Sequence, residues 1–498
     1  MSILDRDLNE CQTFDEISEW RTEKYKIDKK SGDDYTGILT NIYKEPTHFI
    51  YELLQNADDT KATNVKFVLS QDKIEFLHNG SKEFSLGDII SITGVGNSSK
   101  ESRDTTTIGK FGVGFKAVFA VTDKPMIYST TYNFQIENLS VPTEIPSRSL
   151  GEFTTIFQLD FKSQNHDTLF HRNETLLRSM SPETILFLKN ICKVDIVISE
   201  EELPAISVSR SETGQSFSRI EFNEEDTAIE LLKFSNDGCS VVYQVSDGAV
   251  TPILGSKISV FFPTIIDSSL AFMVDAPFQT STTRESIDFE LPHNKVIVEK
   301  FNSLFLESIS RLKSLNLFTV QVFNDIMPIN TLGDSEDFPV YKTLQAAFLE
   351  YIKTQPFIPT NRNELLSASQ VFIADDIELV ELLSPIKNLT FAHQGLSSSA
   401  REFIGLTDAK TFEAYNLLVL VSNDKINLGQ QTDEWLYKLY EFCLKSVLEE
   451  RWHNLFSRTL KQTPIIRTRS GEFVAPFAGG NPNVFRPSKG IPDNRTIH

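Results

Sequence analysis

Residues 51–60 read YELLQNADDT, and how this stretch is understood decides how the rest of the chain is read. Ahead of it, EPTHFIYELL has the spacing of an amphipathic helix, with Pro46 suited to its first turn. The helix then carries Gln55, Asn56, Asp58 and Asp59, side chains that compete with the backbone and disfavour a helix interior. At about 100° per residue, Phe49, Ile50, Leu53, Leu54 and Ala57 share one stripe, which would face a sheet. His48, Glu52, Asn56 and Asp59 fall on the opposite stripe, so Glu52, Asn56 and Asp59 point the same way. A carboxylate above an amide adds little to a helix. It is a good way to hold a hydrated cation and its water.

Working outward, strand-like runs NVKFVLS and KIEFLHNG follow the helix, then LGDIISITG. A Gly- and Ser/Thr-rich stretch, GVGNSSKESRDTTTIGKFGVGF, runs into the apolar KAVFAVT. Within it IGKFGVGFK sets Gly109, Gly112 and Gly114 ahead of a helix-like segment, where backbone N–H groups can close on phosphate oxygens. KPMIYST, NFQIENLSVP and FTTIFQLDF are further strands. The pattern predicts an α+β layer, with helices against a mostly antiparallel sheet.

At 498 residues the chain is too long for one core. We expect an α+β domain over 1–175, an α/β middle domain over 176–325, and a mainly helical region over 335–498. The last region holds one internal echo: TQPFIPTNRNELLSASQVF and QTPIIRTRSGEFVAPFAGGNPNVF share a Pro, apolar, Thr, turn, strand order. Two copies suggest the start of a repeat array that continues in a longer parent. A net charge of -20 repels nucleic acid and anionic membranes, and no Lys/Arg-rich run offsets it. Cys11, Cys192, Cys239 and Cys443 show no metal-ligand or redox spacing, and no apolar run is long enough to span a membrane. These features lead us to expect a cytoplasmic protein with free thiols.

Together, ELLQNADD and IGKFGVGFKAVF resemble the N-box and glycine-rich box of the GHKL (Bergerat-fold) ATPases, and GVGNSSK looks like the start of their ATP lid. The sacsin-type branch is closer still: it also shows HFIYELLQNADD, HNG or a relative, and a TIFxL run, here Thr155 to Leu159. The likeness is specific over roughly residues 35–165. It implies a Bergerat sandwich followed by a transducer-like middle domain, with ATP and Mg²⁺ as cofactors. Glu52 would be the general base that orients the attacking water, and Asn56 would ligate Mg²⁺. Asp59 would fix the base side of the pocket, and Ser98, Ser99 and Lys100 would sit in the lid. Gly109, Lys110, Phe111, Gly112, Val113, Gly114 and Phe115 would form the phosphate cradle, with Lys116 nearby, and Thr155 would close the adenine end.

One departure stands out. Most of the superfamily reads adenine's amino group with the Asp of an Asp-x-Gly motif, whereas this chain has His78, Asn79 and Gly80. The Asn79 amide oxygen or a neutral His78 nitrogen is the acceptor expected in its place. APFQTSTTRESI also resembles the sacsin branch, and it offers Arg284 as a cation that reaches the γ-phosphate from the next domain. The resemblance implies an ATP-hydrolysing conformational clamp, chaperone-like or defence-associated, in which nucleotide closes a lid and draws the second domain onto the first. A protein client and an ATP-dependent dimer are its expected partners. A DNA-acting clamp of the MutL or MORC kind is the alternative, disfavoured by the charge. A nucleotide-sensing scaffold is a third reading, disfavoured by the intact Glu52.

Overall fold

The computed structural model describes residues 3–31, 48–94, 114–180, 183–198, 206–212, 217–222, 228–281, 286–331, 339–448, 454–488 and 491–498. The chain divides into two compact units, Met1–Arg311 with Phe338–Tyr341, and Leu312–Asp337 with Lys342–His498.

The first unit is mixed α+β. Helix α1 (Phe14–Ser31) precedes helix α2 (His48–Asp59). The apolar stripe of α2 behaves as its spacing requires: Phe49, Ile50, Leu53, Leu54 and Ala57 are all at most 1% exposed. Six strands follow: β1 (Asn64–Leu69), β2 (Lys73–His78), β3 (Met126–Ser129), β4 (Asn133–Glu137), β5 (Val141–Glu144) and β6 (Thr155–Asp160). Helix α3 (Leu86–Thr93) lies between β2 and β3, capped by a reciprocal Ser85–Asp88 box that satisfies its first N–H groups. Strand β7 (Lys193–Ile198) then pairs parallel with β1, while β2 pairs antiparallel with β1 on one side and β6 on the other.

Eight further strands between Ile206 and Asp275 extend this layer beyond β7. Among the described residues one sheet therefore collects fifteen strands, mostly antiparallel as expected. The sheet does not break near residue 175. A cut there would strip β1 of its parallel neighbour. Period-2 alternation places Val65, Phe67 and Leu69 of β1 and Ile74, Phe76 and His78 of β2 in the interior, with the Phe67 and Phe76 rings 4.8 Å apart. Phe14 and Ile17 of α1 and the stripe of α2 belong to the same core.

The second unit is mainly helical, and the echo seen in the sequence is a matched pair of small hairpins. Ile358–Pro359 pairs with Leu365–Leu366, and Ile466–Arg467 with Phe473–Val474. In both, a buried threonine clamps the turn: Thr360 donates its N–H and hydroxyl to Glu364 O, and Thr468 does the same to Glu472 O. A later segment then docks alike, His393 N–H on Pro359 O and His498 N–H on Arg467 O. All four cysteines are free, and among the described residues no helix is long and apolar enough to cross a membrane.

Candidate functional site

Glu52, Asn56 and Asp59 of α2 are each half-buried, in contrast to the sealed stripe behind them. The side chain of Asn56 makes no hydrogen bond to the described residues, which leaves its amide oxygen available as a ligand. Against Glu52 comes Gly114, the first residue of a 3₁₀ helix, Gly114–Ala120, that packs on α2. A Cβ added to Gly114 would lie 2.0 Å from Glu52 Oε2 and 2.8 Å from its carboxyl carbon. Only a hydrogen fits there, so the end of the glycine run is moulded to the Glu52 carboxylate. Gln55, also sealed in, leaves Nε2 without a partner.

From Gly114 an aromatic path leads to the end of β2. Phe115, expected in the phosphate cradle, is buried with its ring 5.7 Å from Phe157, which stacks on the His78 ring at 6.1 Å and 28°. His78 stands opposite Thr155 in the β2–β6 register, so the two share one face of the sheet. Gly80 is locked in the turn: a Cβ there would meet Thr60 Oγ1 at 2.0 Å.

The acceptors proposed for adenine are committed elsewhere. Asn79 Oδ1 accepts from the N–H groups of Thr63 and Asn64, both at 2.9 Å, which uses both lone pairs. Asn79 is a turn clamp, a role its side chain shares with the many Asn residues that close turns. His78 Nδ1 accepts the Gly80 N–H at 3.1 Å. Burial holds the His78 ring neutral, lowering its pKa to about 4. Because the folded value lies below the unfolded one, the neutral ring contributes stability that is present above about pH 6.5 and lost as pH falls through about 4. The loss is about 3 kcal/mol over that window. His78→Gln is therefore expected to flatten the acid limb of urea-unfolding free energy measured between pH 7 and pH 4. An unchanged limb would mean that His78 is not the group titrating there.

Lys116, expected near the phosphates, is engaged with backbone carbonyls. Its ammonium, 2% exposed, donates to Ile92 O at 2.8 Å and to Leu139 O. Arg21 Nη2 donates to Ile90 O at 2.9 Å. One buried and one half-buried cation thus satisfy carbonyls at the C-terminal end of α3, where the helix dipole favours positive charge. Burial, aided by the Arg21 charge, pulls Lys116 down to about 7, and burial alone lowers Arg21 to about 10. Sequence reasoning missed Arg21 altogether.

It also passed over Asp58. That carboxylate is 1% exposed and accepts three backbone N–H groups, from Lys189 at 3.0 Å, Asn190 at 2.7 Å and Ile191 at 3.0 Å. A signal was present: Asp58 follows Leu54 by four residues and so lies on the buried stripe. Ser98, Ser99, Lys100, Gly109, Lys110, Phe111, Gly112, Val113 and Arg284 lie outside the described residues. Among the described residues no group of three or more His, Cys, Asp or Glu side chains could hold a metal ion. Asn56 would offer a cation one neutral oxygen.

By fold this is a mixed α+β protein, and its residues 33–138, which span α2, the first strands and the glycine run, match the family model for a Sacsin domain. The chain is similar to Protein NO VEIN of Arabidopsis thaliana, 24% identical over 369 residues, which is 64% of this chain and 13% of that protein. It is also similar to human Sacsin, 31% identical over 108 residues, which is 18% of this chain and 2% of that protein. The chain thus spans a small fraction of the length of both relatives.

Proposed function

We propose that the first unit binds and hydrolyses a purine nucleoside triphosphate with Mg²⁺, in the GHKL manner, ATP being the nucleotide that the resemblance implies. The observation that carries this reading is the fit between Gly114 and Glu52. A backbone that ends a glycine run is brought against a carboxylate that shares its helix face with an amide that has no partner among the described residues. Gly114 lets the end of the glycine run close on the Glu52 carboxylate, which would orient the attacking water. Asn56 supplies one hard oxygen to the cation, which when bound would neutralise charge developing on the phosphates. The lid at Ser98 to Lys100, the cradle from Gly109 to Val113 and an Arg284 reaching the γ-phosphate from the next domain complete the proposal.

Closure of that lid would make the unit a conformational clamp, working by opening and closing more than by fast turnover. The Sacsin-domain match supports a sacsin-like role on a protein client, with dimerisation on nucleotide binding as part of the cycle. We retain the division at residues 1–175, 176–325 and 335–498 as functional regions, the first holding the site and the second relaying its state.

The test is calorimetric titration of the full chain with ATP, with Mg²⁺ and with EDTA, alongside phosphate release. Gly114→Ala places a methyl group on Glu52 Oε2 and is expected to lower turnover about 100-fold or more by displacing the carboxylate. Unfolding free energy should change far less. Binding independent of Mg²⁺, or a Gly114→Ala variant at the wild-type rate, would overturn the reading.

A further inference from the structure

We propose that His78 makes the base end of this site read the purine 6-position as a hydrogen-bond acceptor, so that 6-oxopurine nucleotides such as ITP and GTP bind more tightly than ATP. The inference rests on the nucleotide reading above and on the resemblance, which implies that the base lies beside the end of β2. Everything else comes from the chemistry of that strand end. A backbone N–H can only donate, so the Gly80 N–H held at 3.1 Å makes Nδ1 an acceptor. In a neutral imidazole the proton must then reside on Nε2. The same geometry recurs at His393, whose Nδ1 accepts the Gly395 N–H at 2.9 Å, so the tautomer follows from a His-x-Gly turn that this chain uses twice.

The ring is 3% exposed, fixed between Phe76 and Phe157, and its Nε2–H has no hydrogen-bond partner among the described residues. Asn79, with Oδ1 saturated, cannot supply a compensating acceptor. Thr155, its neighbour across the register, carries a hydroxyl that can donate or accept and so discriminates little. The rigid feature of the strand end is a donor. Adenine presents an amino donor at position 6, and two donors face to face leave a buried N–H unpaired. Hypoxanthine and guanine present a carbonyl oxygen there, which the Nε2–H satisfies.

ITP isolates the effect, because it differs from ATP only in carrying the 6-oxo form of the base. Titration of the full chain with ITP, GTP and ATP at saturating Mg²⁺ is expected to give at least tenfold tighter binding of ITP than of ATP, with GTP following ITP. His78→Asp replaces the donor with an acceptor and should invert the order. His78→Gln, whose amide can turn either way, should bring the two affinities together, and it keeps the comparison available if the buried aspartate does not fold. Equal or tighter binding of ATP by the wild-type chain would overturn the proposal while leaving the nucleotide site standing. Binding of no nucleotide at all would overturn the site itself, and this inference with it.

Discussion

Glu52→Gln is expected to lower ATP turnover by about 10²–10⁴-fold while changing nucleotide affinity by no more than a few-fold. The substitution keeps the shape against which Gly114 is packed, 2.0 Å being the distance from its notional Cβ to Glu52 Oε2. What it removes is the carboxylate's ability to orient and deprotonate water, a contribution made chiefly in the transition state. Glu52→Ala should lose the same chemistry but also open space beside Gly114, so its affinity is the less clean readout. Single-turnover phosphate release with parallel calorimetry separates the two. A wild-type rate in Glu52→Gln would assign the water to another residue.

Asp58→Ala is expected to destabilise the first unit by about 3–5 kcal/mol, because three buried N–H groups lose their acceptor at once. Those donors belong to Lys189, Asn190 and Ile191, and Asn190 Nδ2 adds a bond to the Asp58 carbonyl at 2.9 Å. The carboxylate therefore ties the end of α2 to the turn that feeds β7, the strand lying parallel beside β1. Asp59→Ala, at the neighbouring half-buried position, should cost only about 1 kcal/mol or less. Urea unfolding of both variants checks the contrast, and equal stability would refute the anchoring role. Cooperative loss of the whole sheet in Asp58→Ala would further show that residues beyond 175 fold together with those before it.

The two aspartates show how much of the site was legible. Spacing alone put Glu52, Asn56 and Asp59 on one face of α2, and the structure keeps them there, half-exposed above a sealed stripe. It also pointed to β1, β2 and β6, and to the Thr-clamped hairpins at Thr360 and Thr468. The destinations of the polar side chains were less accessible. Lys116 was expected near phosphate, yet it caps α3. Asn79 was expected to meet a base, yet it holds its own turn.

The amino-acid sequence by itself determined what repeats locally: helix stripes, strand alternation and turn chemistry, because those follow from neighbours three or four residues apart or two apart along the chain. Tertiary structure alone decided which partner each buried polar group takes. Asp58 meets Lys189, 131 residues downstream, and Arg21 meets Ile90, 69 residues away. It also decided that strands on both sides of residue 175 form one sheet, since β1 chooses β7 across the intervening α+β elements. Such pairings depend on chain closure and on the need to satisfy every buried donor, which no local period encodes.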